Sequence, residues 1–277
     1  MKSNRTWAKT VELAKVVAKI MRNALWGGSL AFVWQALLSP SKALNYLQEC
    51  LFQYENLFGR KGALPKHVTA ALDCNPTLPI VLGSAKHTGA DSWFAEKSSY
   101  TLDLVSLCQL CRILNPSIVF EIGTLKGFTA WHFALNTNAE AAIYTLDLPP
   151  AGVKPLLRTT LVDDIHIAGH QGMASQCFDG TSEGAKIRRV FGDSATFDFS
   201  GFHGKVDLFF IDGAHSYEYV RSDTMNALLC TRKGGVIAWH DFGRVGVNGV
   251  GKLIEEMSRS YKIFAVPGGS VAYMVKE

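Results

Sequence analysis

The stretch Ile118-Val119-Phe120-Glu121-Ile122-Gly123-Thr124-Leu125-Lys126-Gly127-Phe128-Thr129 decides how this chain folds. An apolar, β-branched run stops at Gly123, a polar turn follows, and Gly127 opens a segment of helical character through Trp131 and Leu135. The reading is strand, glycine turn, helix start. Glycine lets the backbone approach a ligand closely because it has no Cβ, and a helix N-terminus offers N–H donors to electronegative groups. Glu121 stands at the strand end, two residues before Gly123. A dinucleotide site carries G-x-G-x-x-G so that a pyrophosphate can rest on the helix end. Here the spacing is E-x-G-x-x-x-G, and a carboxylate aimed at the turn repels a pyrophosphate while favouring a cation such as an amino-acid ammonium group.

Downstream, strands and helices alternate. Ala141 to Asp147 reads as a second strand ending on an acid, Ile187 to Phe191 as a third followed by Gly192-Asp193-Ser194, and Lys205 to Ile211 as a fourth followed by Asp212-Gly213-Ala214-His215. Gly235 to Trp239 is a fifth, ending in His240-Asp241-Phe242. Two last strands, near Tyr261–Val266 and Val271–Val275, are joined by Pro267-Gly268-Gly269 as an antiparallel hairpin. The pattern predicts an α/β fold with a doubly wound, mostly parallel sheet of seven strands. Ligands of such sheets bind beyond the carboxyl ends of the strands, where an acid can accept from ribose hydroxyls, and Asp147 is placed for that. A surface acid at a strand end is the plainer alternative. Asp212 and Asp241 end neighbouring strands about 4.8 Å apart, so their carboxylates could share a divalent cation.

Taken in order, these motifs resemble the class I S-adenosylmethionine-dependent methyltransferases over roughly residues 95–277. More narrowly the chain is similar to methyltransferase family 24, a group related to catechol-type and sugar O-methyltransferases. The resemblance implies that Glu121, Gly123, Thr124 and Gly127 hold the methionine end of the donor, Asp147 its ribose, and Gly192, Asp193 and Ser194 its adenine, with Asp212 beside it. Catechol-type relatives bind magnesium through an acid at the position of Asp212 and a carboxylate–amide pair after the next strand. The matching pair here is His240-Asp241, and imidazole suits zinc, iron or manganese better than magnesium. Two readings follow: a metal on Asp212, His240 and Asp241, or a metal-free site in which His240 or His215 is the general base. A Cβ at Gly123 is expected to fill the methionine site, so that Gly123→Val blocks the donor in a folded protein.

A chain of 277 residues, 48% hydrophobic and 19% charged, can bury a full core. The net charge of +4 is scattered, with no basic face for nucleic acid. Six cysteines without a paired framework suit a reducing compartment and a cytoplasmic protein; Cys108 and Cys111 read as buried thiols of one helix rather than zinc ligands. Residues 1–92 read as an N-terminal helical segment for packing, oligomer contact or substrate capping, and 93–277 as the methyltransferase domain. An amphipathic helix is expected over residues 11–21 and another over 41–57. The uncharged run 24–34 is too short for the ~20 residues of a membrane span and lacks a convincing signal cleavage site. Trp26, Phe32 and Trp34 could touch a membrane surface, but packing onto the core or a second subunit is the plainer account. Residues 148–186, rich in glycine and carrying Asp163, Asp164, His166 and His170, read as a long substrate-side lid, with a metal cluster as the alternative.

The function expected from all this is O-methylation of a small hydroxylated metabolite. An NAD-linked oxidoreductase is disfavoured by the missing third glycine, and a non-catalytic binding module on the same fold stands as the third class.

Overall fold

The computed structural model describes residues 37–38, 68–70, 81, 98–149, 154–170, 176–244 and 247–277. The helices expected over 11–21 and 41–57 and the run 24–34 lie outside these residues.

The chain enters its main domain through α1 (Ser98–Leu114), whose Leu104, Leu107, Cys108, Leu110 and Cys111 recur at helical spacing and are buried. Asn115, at φ 47°, and Pro116 end the helix. Then follow β2 (Ile118–Ile122), α2 (Phe128–Leu135), β3 (Ala142–Asp147), β4 (Ile187–Phe191), β5 (Val206–Ile211), α4 (Tyr217–Cys230), β6 (Thr231–Trp239), α5 (Asn248–Met257), β7 (Ile263–Ala265) and β8 (Ala272–Val275). A short strand, β1 (Val68–Ala70), precedes them all, and α3 (Leu161–His170) lies between β3 and β4 in sequence.

The sheet order is β1-β7-β8-β6-β5-β2-β3-β4. β2 pairs in parallel with β3 and β5, β3 with β4, and β5 with β6, while β8 runs antiparallel to both β6 and β7. The seven expected strands and their terminal hairpin are present. An eighth strand, β1, adds in parallel to the outside of β7, so the hairpin does not form the sheet edge. Three residues are too few to leave a readable alternation, which is why this strand is silent in the sequence.

Both faces of the sheet are covered. β5, Val-Asp-Leu-Phe-Phe-Ile, is buried along its whole length, as a central parallel strand must be. On one face Phe120, Phe199, Phe209 and Trp239 pack together, with Phe120 and Phe209 stacked at 5.0 Å between ring centroids. On the other, Val119, Trp131, Phe133, Leu208 and Phe210 form the second core layer. Each such side chain contributes about 1.5–3 kcal/mol by leaving water. These layers fix the ends of β2, β5 and β6 as one rigid rim.

Cys108, Cys111, Cys177 and Cys230 are buried free thiols, and burial pushes Cys108 up to about 12. The thiols of the C-x-x-C sequence are thus helix packing groups. Within the stretch expected as a lid, Leu161–His170 is helical, and its start is capped reciprocally: Thr160 N–H donates to Asp163 Oδ2 (2.7 Å) and Asp163 N–H to Thr160 Oγ1 (3.2 Å). Asp163 serves as a cap, and the side chains of His166 and His170 lie outside the described residues. Among the described residues no helix is long and apolar enough to cross a membrane.

Candidate active site at the carboxyl rim of the sheet

The turn after β2 is held from three sides. Gly123 has φ +101°, and a Cβ there would stand 2.1 Å from the carbonyl oxygen of Asp212. Asp212 N–H in turn donates to Ile122 O (2.9 Å). This glycine is required by the backbone of the neighbouring strand end, not only by a ligand, so the expectation that Gly123→Val leaves a folded protein is overturned. Gly127, at φ 72°, opens α2 and has no side chain with which to cap it; a Cβ there would stand 2.3 Å from the Phe178 ring and 2.8 Å from Gln176 Oε1.

Glu121 does not point at the turn. It is 1% exposed, and its Oε2 accepts from the Thr145 hydroxyl at 2.5 Å, which in turn meets Thr124 Oγ1 at 2.6 Å. Burial pushes the Glu121 carboxyl well above the ordinary range; the Thr145 bond opposes this, while the charges of Asp212 and Asp147 add to it. The charged carboxylate expected to face an ammonium is instead an interior group that ties Thr124 to β3. Asp147, half-buried at the end of β3, accepts from Leu125 N–H (2.9 Å) and Leu148 N–H (2.8 Å), and so clamps the same turn from the other side.

At the end of β4, Asp193 is engaged rather than projecting freely toward a base edge. Its Oδ2 accepts from Leu156 N–H (2.7 Å) and Tyr219 O–H (2.8 Å), and its Oδ1 from Ala195 N–H (2.9 Å). Ser194 lies beside Asp223, a wholly buried acid on α4. Burial pushes the Asp223 carboxyl up to about 7, with Ser194 opposing and the Asp193 charge reinforcing the shift. Gly192 N–H donates to Asp147 O (3.0 Å), which joins the second and third strand ends.

The ends of β5 and β6 bring the remaining candidates together. His240 Nδ1 lies 3.0 Å from Asp212 Oδ1 and 3.2 Å from Asp241 Oδ1. His215 Nε2 lies 2.8 Å from Asp241 Oδ2, and Arg244 Nε 2.9 Å from Asp241 Oδ1. Asp241 adopts φ 61°, a left-handed conformation costly for a non-glycine residue and often found where function holds it. Burial lowers the His240 imidazole, but the charges of Asp212 and Asp241 outweigh it and hold the group well above its usual value. Asp241 is held well below the carboxylate range because His240 and His215 outweigh its burial.

Three further residues complete the cluster, and the strand motifs did not reveal them. Asp103, on α1, is 1% exposed; its Oδ2 lies 3.3 Å from His240 Nε2 and 3.3 Å from an Arg244 terminal nitrogen. Ser270, in the β7–β8 turn, donates to it from both its N–H (2.5 Å) and its hydroxyl (2.7 Å). The available signal was a lone acid, Leu102-Asp103-Leu104, inside an otherwise uncharged apolar helix face.

Asp212, His240 and Asp241 each offer one ligand atom, all within 4.8 Å of one another. The set fits a divalent ion by chemistry as well as spacing. His240 Nδ1 faces two carboxylates, and a bare nitrogen lone pair there would be repelled, so the position calls for a proton or a metal.

Residues 120–242 match the family model for "Methyltransferase domain" (methyltransferase family 24). No curated protein matches the chain. Among solved structures, the chain is similar to the O-methyltransferase TomG from Streptomyces achromogenes, involved in tomaymycin synthesis and solved with S-adenosylmethionine. The identity is 16%, with 72% of this chain and 93% of that one covered and a TM-score of 0.49. An O-methyltransferase from Bacillus cereus in complex with S-adenosylhomocysteine is 18% identical, over 66% of this chain and 84% of that one, with a TM-score of 0.46. Residues 120–242 thus match a methyltransferase domain, carried on a mostly parallel sheet with a terminal antiparallel hairpin.

Proposed function

We propose that the protein transfers a methyl group from S-adenosylmethionine to an oxygen of a small hydroxylated molecule. The observation that carries this reading is that Asp212 belongs to two halves of one site. Its backbone closes on Gly123 in the first turn, and its carboxylate faces His240 on β6. A donor lying over the first turn and an acceptor at the β6 end would therefore meet across one residue.

The N-terminal end of α2, entered through Gly127, would suit the carboxylate of the donor's amino-acid end. A carboxylate oxygen accepts more than one hydrogen bond, so Asp147 can accept from the ribose hydroxyls while it holds the Leu125 and Leu148 amides. Gly192, Asp193 and Ser194 would line the adenine end, with the Asp193 carboxylate already engaged by Leu156, Ala195 and Tyr219.

Transfer is an in-line displacement: the acceptor oxygen forms a bond to the methyl carbon as the carbon–sulfur bond breaks, leaving S-adenosylhomocysteine and releasing the hydroxyl proton. In a metal-free site His215, bonded to Asp241, or His240 beside it would take that proton. A divalent ion on Asp212, His240 and Asp241, whether magnesium, manganese or another, would lower the pKa of the acceptor hydroxyl. Two carboxylates beside a buried imidazole favour the metal reading, since they lower the cost of placing a double positive charge there.

The test is methyl transfer from labelled S-adenosylmethionine to a panel of sugars, phenols and other hydroxylated metabolites, before and after exhaustive chelation. Turnover that is lost on chelation and restored by Mn²⁺ or Mg²⁺ supports both the reaction and the metal. Full turnover after chelation removes the metal and leaves the histidines. No transfer to any oxygen acceptor overturns the reaction.

A further inference from the structure

The imidazole of His240 is held from behind by a residue outside the matched methyltransferase stretch. Asp103 comes from α1, ahead of β2, and its two oxygens are fixed by the Ser270 N–H and hydroxyl at 2.5 and 2.7 Å. Its Oδ2 then lies 3.3 Å from His240 Nε2. Both groups are almost wholly enclosed, at 2% and 4% side-chain exposure. An imidazole between a carboxylate at Nε2 and two carboxylates at Nδ1 has its ring plane and its proton placement constrained from behind by a carboxylate that the fold itself anchors. Asp212 and Asp241 face the ligand edge, whereas Asp103 is locked into the fold by the β7–β8 turn.

We propose that Asp103 is a positioning residue of the active site: it accepts the Nε2–H of His240 and thereby directs Nδ1 to the point shared by Asp212 and Asp241. The inference rests on the proposed function for its catalytic consequence, but its structural content stands independently. A carboxylate behind a histidine fixes which nitrogen carries the proton and raises the basicity of the other. Ser270 extends the arrangement into a relay, Ser270 to Asp103 to His240. The C-terminal hairpin and helix α1 thus control the orientation of one imidazole. Arg244 joins the same carboxylate through a terminal nitrogen 3.3 Å away, and it reaches Asp241 through Nε at 2.9 Å. It balances the charge of the acids without replacing the imidazole contact.

The experiment is imidazole ¹⁵N–¹H correlation NMR on the histidine-labelled full chain without added metal, with the His240 signals assigned from His240→Asn. The expected parent spectrum shows a slowly exchanging, downfield proton on Nε2 of His240. Asp103→Ala abolishes that signal; Asp103→Asn, which keeps an oxygen acceptor but loses the charge, retains it and moves it upfield. In methyl-transfer assays Asp103→Ala lowers kcat about ten- to a hundredfold, Asp103→Asn restores part of the loss, and S-adenosylhomocysteine affinity stays at the parent value in both. An unchanged Nε2–H signal in folded Asp103→Ala, or an unshifted one in Asp103→Asn should the alanine variant not fold, overturns the proposal. If no acceptor supports turnover, the reading of the reaction falls, while the NMR result still decides the role of Asp103.

Discussion

Two halves of the same rim use their carboxylates in opposite ways. At the ends of β2, β3 and β4 the acids are turned onto the chain itself: Asp147 clamps the Leu125 and Leu148 amides, Asp193 ties Leu156, Ala195 and Tyr219, and Glu121 is enclosed with Thr145. At the ends of β5 and β6 the acids face ionisable groups, so that Asp212, Asp241 and Asp103 surround His240, with His215 and Arg244 beside them. In the proposed reading, the first arrangement is the surface on which the donor would lie, and the second concentrates charge where a proton would leave the acceptor: one half would shape, and the other would react.

The sharpest way to break this division is Gly123→Val, because Gly123 is where the halves touch. With φ +101° and the Asp212 carbonyl 2.1 Å from the would-be Cβ, the variant should lose more than about 4 kcal/mol of stability or fail to fold. Thermal unfolding measures this, and a parent-like melting curve with only donor binding lost would show that the turn gives way more easily than its contacts imply.

Asp241→Ala addresses the reacting half alone. It removes the partner of His215, His240 and Arg244, and turnover should fall by on the order of 10²–10⁴-fold while S-adenosylhomocysteine affinity persists. Added Mn²⁺ should not rescue it. Equal losses of turnover and donor affinity would mean that the two halves are not separable.

A third test concerns the floor beneath the shaping half. The buried Asp223 carboxyl is raised from 3.8 to about 7. Between these values the unfolded chain has released the proton and the folded one retains it, so the contribution is fully present below about pH 4 and is lost as pH rises through 7. The change is on the order of a few kcal/mol. Asp223→Asn should flatten this part of the stability–pH curve, measured by denaturant unfolding from pH 4 to 8; an identical slope in the variant would contradict the assignment.

The architecture was legible because it rests on patterns that short segments carry by themselves. The apolar run of β5, the glycine turn at Gly123–Gly127 and the Pro267-Gly268-Gly269 link each state their geometry locally. The strand β1 was not legible, since three residues acquire strand identity only from β7 beside them. The convergence of Asp212, His240 and Asp241 could be anticipated because adjacent strand ends are brought together by the sheet itself. Asp103 could not, because its meeting with His240 depends on how α1 packs against a turn 167 residues away, which no local period encodes. The orientation of Glu121 was misread for a related reason. A strand-end acid looks the same in sequence whether its side chain turns outward or inward, and here Thr145 offered an inward partner.

The smallest expected effect refines the shaping half. Asp147→Ala removes the carboxylate that accepts from the Leu125 and Leu148 amides and should cost about 1.5–3 kcal/mol of stability, with a parallel fall in donor affinity; Asp147→Asn should restore some of both. Full donor affinity in the alanine variant would confine Asp147 to a structural role.

The central claim is that the stiff half of the rim holds S-adenosylmethionine. Isothermal titration of S-adenosylhomocysteine, and separately of NAD, into the parent protein and the Asp147→Ala and Asp241→Ala variants tests it most directly. The account predicts saturable binding of S-adenosylhomocysteine to the parent, weakened in Asp147→Ala and unchanged in Asp241→Ala, with no heat from NAD. A folded parent that fails to bind S-adenosylhomocysteine, or binds NAD in its place, would contradict it.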